Sequence, residues 1–345
     1  MVSLEFRRDR IVFRYGDQKY EWVIEPRYWR NPVIGALVLM VLPFLVYQYP
    51  NILTMITTAN IYAAIAIMLS LQTIGTARLN FGPQFYVGIG GYTAALLNLY
   101  FGLNSALTLI VTILVSLLFA FLISPIVLIA RGLYFALITL ILPLIFLEIT
   151  FVYGDIFRGE SGLSGIAPLL NLGSVSWNYL AYYFLSLAMM LIYLLVVDKT
   201  MRSRYGLAMA AINDNEDVAR TVGVNVNKYK ILSYVIPSVG MGVAGWFIAH
   251  TFRTFAGITY LSLDFMVKIL LMIIIGGRAS IYGSIVGGYF VAFLEEGLRT
   301  LGPINYVVFP LTLILCVYML PEGLWGLYHK RHYRDYYPKL RVRRR

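Results

Sequence analysis

Long apolar runs alternate with short polar breaks along most of this chain. Ten runs approach the length of a membrane-crossing helix, about 20 mostly apolar residues. They are Pro32–Tyr49, Ile52–Ala77, Phe81–Tyr100, Ser105–Ala130, Leu133–Val152, Tyr179–Val197, Ile231–Phe252, Phe265–Gly276, Ser284–Leu301 and Ile304–Leu320. The eighth is too short to cross alone unless Leu261 and the residues after Gly277 extend it. Helices satisfy their own backbone groups, which is the condition for crossing lipid. The expected fold is all-α: a polytopic transmembrane helical bundle of about ten segments, some short or broken. Composition agrees, with 59% hydrophobic residues, 13% charged residues and a mean hydropathy of +0.74. These values lie far outside those of a soluble core.

The main interruption is Lys199–Lys230, KTMRSRYGLAMAAINDNEDVARTVGVNVNKYK. Ala208–Val222 carries a helical pattern with charge on one side. Asn213 to Asp217 offer an N-cap and an acidic first turn, and Gly223 ends the helix as a left-handed C-cap. The following Val-Asn-Val-Asn-Lys-Tyr-Lys reads as strand-like. The chain thus divides into an N-terminal extension (1–31), a transmembrane domain (32–328) with a polar loop (199–230), and a basic tail (329–345). Within the extension, Ile11–Tyr15 and Lys19–Ile24 flank Gly16-Asp17-Gln18 and predict a β-hairpin.

A net charge of +11 invites a nucleic-acid partner, but its placement excludes one. Basic residues gather before Asn31, within 199–230 and after His329, while Tyr153–Asn178 holds Arg158 alone. That asymmetry is the positive-inside pattern. It predicts a multi-pass plasma-membrane protein with both termini and the polar loop in the cytoplasm. Six crossings before the loop and four after it satisfy this, and place Arg78, Arg131 and Arg278 on the inner side. The basic tail suits membrane lipid, each Lys or Arg contributing about 1 kcal/mol near anionic headgroups. Cys316 is the single cysteine, so no intrachain disulfide is expected. The first 30 residues are charged and lack the apolar core of a secretory signal.

Catalytic chemistry is missing. There is no Gly-Lys pair and hence no Walker A loop, and no GxSxG or CxxC motif. His250, His329 and His332 do not make a metal site. No cofactor is expected, and the chain is read as a transport subunit without ATPase chemistry of its own. Ionisable residues in the apolar runs are few: Glu148, Lys268, Glu295, Glu296 and Arg299, with Asp264 at an edge. All fall near outer ends, and Glu295 and Arg299 have the spacing of a helical pair. Glu148 and Glu295 are candidates for a vestibule that receives a zwitterionic solute. Gly82, Gly90, Gly91, Gly276 and Gly277 are candidates for broken or closely packed helices along a pathway. The strings GIGGYTAALL (88–97) and VGGYFVAFL (286–294) echo one another as two parallel repeats would. A secondary transporter driven by an ion gradient is the alternative, and a membrane scaffold is a third reading. The former calls for a mid-membrane carboxylate.

The chain resembles the membrane subunits of ABC importers for branched-chain amino acids, the LivH/LivM permeases, and is closer to the LivM type. The strongest match is SRYGLAMAAINDNEDVARTVGVNVNKYKILSYVI (203–236), followed by AGWFIAH (244–250). RGLYFALITL, SGLSGI, GGRASIYGSIVGG, PEGLWGL and LNFGPQFYVGIGGYTAALL support it. The likeness covers roughly Ile52 to Leu327. It implies half of a translocation pathway for branched-chain amino acids or a related small polar solute. It also implies a second permease subunit, two ATP-binding cassette ATPase subunits and an extracellular solute-binding protein. Coupling to the ATPases would fall on Glu216, Asp217, Ala219, Arg220 and Gly223, in the 213–223 helix. Asp217, Val218, Ala219 and Gly223 take the places of an EAA…G pattern, with Asp for Glu and Val for Ala. Asn80 and Pro83 depart from the Ser-Phe-Gly-His that related permeases often carry there.

Overall fold

A computed structural model describes residues 2–7, 10–15, 18–23, 26–76, 78–130, 132–277, 280–320 and 323–325. Arg131, Arg278 and the basic tail 329–345 lie outside the described residues. The chain opens with an antiparallel sheet of β1 (Val2–Arg7), β2 (Arg10–Tyr15) and β3 (Gln18–Val23) in chain order. The stretch Val2–Arg7 joins the two strands read from sequence because Val2, Leu4 and Phe6 alternate with Ser3, Glu5 and Arg7, the period of a strand.

Helices follow: α1 (Pro26–Leu45), α2 (Pro50–Thr76), α3 (Pro83–Phe101), α4 (Ser105–Ile129), α5 (Leu133–Val152) and the four-residue α6 (Gly154–Phe157). After them come α7 (Val175–Met201), α8 (Arg204–Asp214), α9 (Glu216–Thr221), α10 (Val226–Phe252), the four-residue α11 (Gly257–Tyr260), α12 (Leu263–Gly276), α13 (Ile281–Arg299) and α14 (Asn305–Met319). Side-chain caps set several starts. Asn104 Oδ1 accepts from Leu107 N at 2.9 Å, Ser262 Oγ from Phe265 N at 3.3 Å and Ser280 Oγ from Gly283 N at 3.1 Å, each satisfying an orphan amide.

Each of the ten apolar runs coincides with a long helix, but seven stretches among the described residues are long and apolar enough to cross a membrane. These are α2, α4, α5, α7, α10, Gly257–Gly276 and Val307–Trp325. The eighth run gains its length from α11. By the same measure α3 and α13 fall short, and their sequences say why. α13 carries Glu295, Glu296 and Arg299, and α3 holds Gln84 and three glycines. Every residue of α3 from Pro83 to Tyr92 is buried, so its polar groups face protein and escape the demand that lipid makes.

α2 and α10 form the centre. α10 packs on α3, α4 and α2, while α2 packs on α13 and α7. The two Gly-Gly-Tyr strings fall on α3 and α13, which therefore lie against different central helices. α4, α5 and α14 expose apolar side chains such as Leu122, Tyr134 and Leu311. Between α6 and α7, β4 (Leu163–Ser164) pairs with β5 (Thr254–Phe255). That pairing ties the GESGLSGI loop to the end of α10.

Two local readings need correction. Ala208–Val222 is not one helix: Asn215, at φ −161°, breaks it into α8 and α9. Val-Asn-Val-Asn-Lys-Tyr-Lys is not strand-like. Asn225 Oδ1 accepts from Lys228 N at 3.1 Å, and this cap starts α10 at Val226.

Candidate functional site

The polar loop folds as an elbow of α8 and α9. Asn215 Oδ1 accepts from the amides of Asp217 (3.0 Å) and Val218 (3.1 Å). Glu216 and Asp217 occupy the first turn of α9, where acidic groups are favoured. Ile212, Ala219 and Val226 are buried together, with Ala211, Val224 and Tyr229 packed against them. Tyr205 and Tyr229 meet edge to face at 5.4 Å. The elbow therefore has a small apolar core of its own, joining α8, α9 and α10. Gly223 makes the turn out of α9 at φ +87°, a conformation that favours glycine.

Glu216 joins this elbow to the helix bundle. Its Oε2 ion-pairs with Lys230 Nζ of α10 and lies 3.5 Å from Arg78 Nη2, in the link between α2 and α3. The Lys230 side chain is 1% exposed and that of Arg78 is 7% exposed. Charges so buried persist only when paired and hydrogen-bonded. Arg78 Nη1 donates to the carbonyls of Val127 and Ala130, satisfying the C-terminal end of α4. Its guanidinium also sits 6.0 Å from the centre of the Phe135 ring in α5. One carboxylate thus connects α9 with α10 and, through Arg78, with the ends of α2 and α4 and with α5.

The coupling candidates separate by direction. Glu216 points inward and Ala219 is in the elbow's core. Asp217 and Arg220 are exposed, and Gly223 shapes the turn. Val218 and Val222, four residues apart, are 56% and 72% exposed, giving the outer face an apolar stripe flanked by Asp217 and Arg220. Sequence reading did not single out Val218, Val222, Arg78 or Lys230 as site residues. A signal for Lys230 was present, since it is the last charge before a long apolar run.

The pathway candidates are dispersed. A Cβ on Gly82 would lie 2.1 Å from Thr139 O, on Gly90 1.9 Å from Gly242 O, on Gly91 2.1 Å from the Phe255 ring, and on Gly276 1.9 Å from Gly283 O. Gly277 turns the chain between α12 and α13 at φ +120°. These glycines allow close backbone approach in three places rather than lining one channel: α3 on α10, α12 on α13, and the start of α3 on α5. Glu295 does not pair with Arg299. Its Oε1 lies 2.5 Å from Lys268 Nζ of α12, and its Oε2 accepts from Tyr62 OH at 3.2 Å, while Arg299 pairs with Glu296 at 3.4 Å. Glu148 is exposed on α5 and is not part of that cluster. Nearby on α2, α7 and α13, Asn60 donates to Ser186 Oγ at 3.0 Å and accepts from Tyr289 OH.

Comparison with known proteins places this geometry. Residues 51–318 match the model of the family described as branched-chain amino acid transport system / permease component. The high-affinity branched-chain amino acid transport system permease protein LivM of Salmonella typhimurium is 25% identical over 297 residues, covering 78% of this chain and 68% of that protein. The probable branched-chain amino acid transport permease protein LivH of Methanocaldococcus jannaschii is 25% identical over 69% of this chain and 77% of its own length. The ribose import permease protein RbsC of Haemophilus influenzae is 24% identical over 85% and 91%. No solved structure matches the chain.

Proposed function

This multi-pass membrane chain belongs to the branched-chain amino acid transport system permease family, and we propose that it forms one half of the translocation pathway of an ATP-binding cassette importer. Its solute is a branched-chain amino acid or a related small polar molecule, delivered by an extracellular binding protein. A second permease completes the pathway, and two ATPase subunits drive it. The α8–α9 elbow faces the cytoplasm together with both termini, the side on which the basic residues gather. The observation that carries this reading is the Glu216 junction: an exposed elbow whose one inward carboxylate holds Lys230 and Arg78. A soluble motor seated on Asp217, Val218, Arg220 and Val222 would displace α9. The ion pairs would carry that displacement to α10 and, through Arg78, to α4.

Two measurements test it. The complex purified with its native partners and reconstituted in vesicles should take up labelled leucine on addition of ATP. Uptake by the isolated chain on an ion gradient would replace this reading with the secondary transporter. The second test is Gly223→Leu. Forcing a branched side chain into the left-handed region costs about 1–2 kcal/mol, a five- to thirtyfold shift in a local equilibrium, roughly. Nothing lies within 4 Å of the added Cβ, so the chain stays in the membrane while uptake per ATP hydrolysed falls by about that factor. Unchanged coupling in this variant would remove the elbow from the mechanism.

A further inference from the structure

At the end of the bundle opposite the elbow, two adjoining cavities of about 230 and 190 Å³ share Tyr179, Tyr182, Thr251 and Arg253. They lie where α2 and α7 begin and α10 ends, with Thr54 and Thr57 lining one and Asn178 the other. Both are half-open hollows smaller than the roughly 300–1,000 Å³ of a drug-sized pocket, which limits each to a small solute.

Arg253 is held there in an unusual way. It follows α10 at φ +58°, a left-handed cap position that ordinarily goes to glycine. A non-glycine residue is retained in such a conformation at a cost, and an observed outlier of this kind is a reason to look for function. The backbone is pinned, since Arg253 O accepts from Gly165 N at 3.1 Å and Ile166 N at 3.3 Å. The side chain is pinned as well, by Nε donating to Ile166 O at 3.2 Å. Neighbouring His250 fixes the same loop, its Nδ1 lying 2.8 Å from Ala167 O. Among the described residues no carboxylate pairs with Arg253. Thr251 lines both hollows, and its Oγ1 is buried without a hydrogen-bond partner. A guanidinium anchored by one nitrogen presents its remaining donors in a fixed fork, the geometry that receives a carboxylate.

We propose that this cavity is the entry subsite for the solute and that Arg253, assisted by Thr251, binds the carboxylate of a free amino or other small organic acid. Tyr179 and Tyr182 form the wall against which its apolar part rests. This rests on the importer reading above and adds the chemical group that the outer mouth selects.

The test compares wild type, R253K and R253G in the reconstituted complex with its ATPases and binding protein. Glycine relieves the backbone strain, so R253G removes the guanidinium without forcing a bulky replacement into the cap. The expected result is a KM for leucine raised about tenfold or more in R253G, with R253K in between. Leucinamide, which lacks the carboxylate, should compete poorly in wild type and nearly as well as leucine in R253G. An unchanged KM and unchanged discrimination in R253G would overturn the subsite while leaving the importer intact. So would a defect that disappears at saturating binding protein, which would make Arg253 a docking contact for that protein. Wild-type uptake of ribose but not leucine would instead sink the amino-acid reading and the subsite together.

Discussion

Glu216→Gln is expected to abolish productive coupling, with the largest loss among single changes in the elbow. The substitution preserves shape and removes the one carboxylate that both Lys230 and Arg78 share. Breaking a buried ion pair from one side costs about 3–5 kcal/mol, because the remaining charge keeps its desolvation penalty. Here a single change takes this carboxylate from two buried cations at once. Lys230→Met should be milder, since it leaves Glu216 with Arg78 at 3.5 Å and Arg220 at 3.5 Å. The double variant E216Q/K230M should recover part of the E216Q loss, for the worst-placed charge is then gone as well. Such non-additivity between contacting residues amounts to about 0.5–3 kcal/mol. Hydrogen exchange over residues 204–223 is the direct readout, as an undocked elbow loses protection. ATP hydrolysis per solute carried reads the functional consequence. Wild-type protection in E216Q, or a double variant worse than the sum of the two, would mean that the Glu216 junction does not hold the elbow.

The same junction shows what a sequence can and cannot disclose. The apolar runs located every long helix, because crossing length and composition are local properties. The caps of the elbow were visible for the same reason, since Asn215, Glu216 and Gly223 act within a few positions of themselves, but its division into α8 and α9 was not. What sequence could not show is which distant groups meet. Arg78 was noted only for its side of the membrane, and its place between α4 and α9 depends on packing of four helices. Glu295 was matched with Arg299 by spacing along one helix, yet α12 brings Lys268 closer. α3 shows the same limit. Its glycines and Gln84 are tolerable only because neighbouring helices enclose them, and enclosure is a property of the fold. Arg253 gave no sign at all, since its backbone conformation is set by the pairing of β4 with β5.

Replacing Gly90 by alanine should prevent the bundle from closing. The added Cβ would lie 1.9 Å from Gly242 O, 2.6 Å from its carbonyl carbon and 2.8 Å from its Cα. All three are backbone atoms, so no rotamer change can make room, and α3 and α10 must separate along their contact. A Cβ on Gly245 would likewise lie 2.0 Å from Val87 O on the same seam, which means the shift cannot stay local. Overpacking a closed core costs about 1–3 kcal/mol where side chains can adjust. The rigid contact here puts G90A at or above the top of that range. Two further glycines grade the effect. At Gly242 an added Cβ would meet Ser116 Oγ at 2.0 Å, which can rotate away, and Ser116 Cβ at 2.9 Å, with no backbone atom closer than 3.7 Å, so G242A should be less damaging. At Gly297 in α13 nothing lies within 4 Å. There alanine should be neutral or gain about 0.5–1 kcal/mol from helix propensity alone. Thermal unfolding of the three purified variants in detergent should rank them G90A, G242A, G297A from least to most stable. A G90A variant as stable as wild type would show that α3 and α10 do not touch backbone to backbone, and the close-packed centre of the bundle would have to be redrawn.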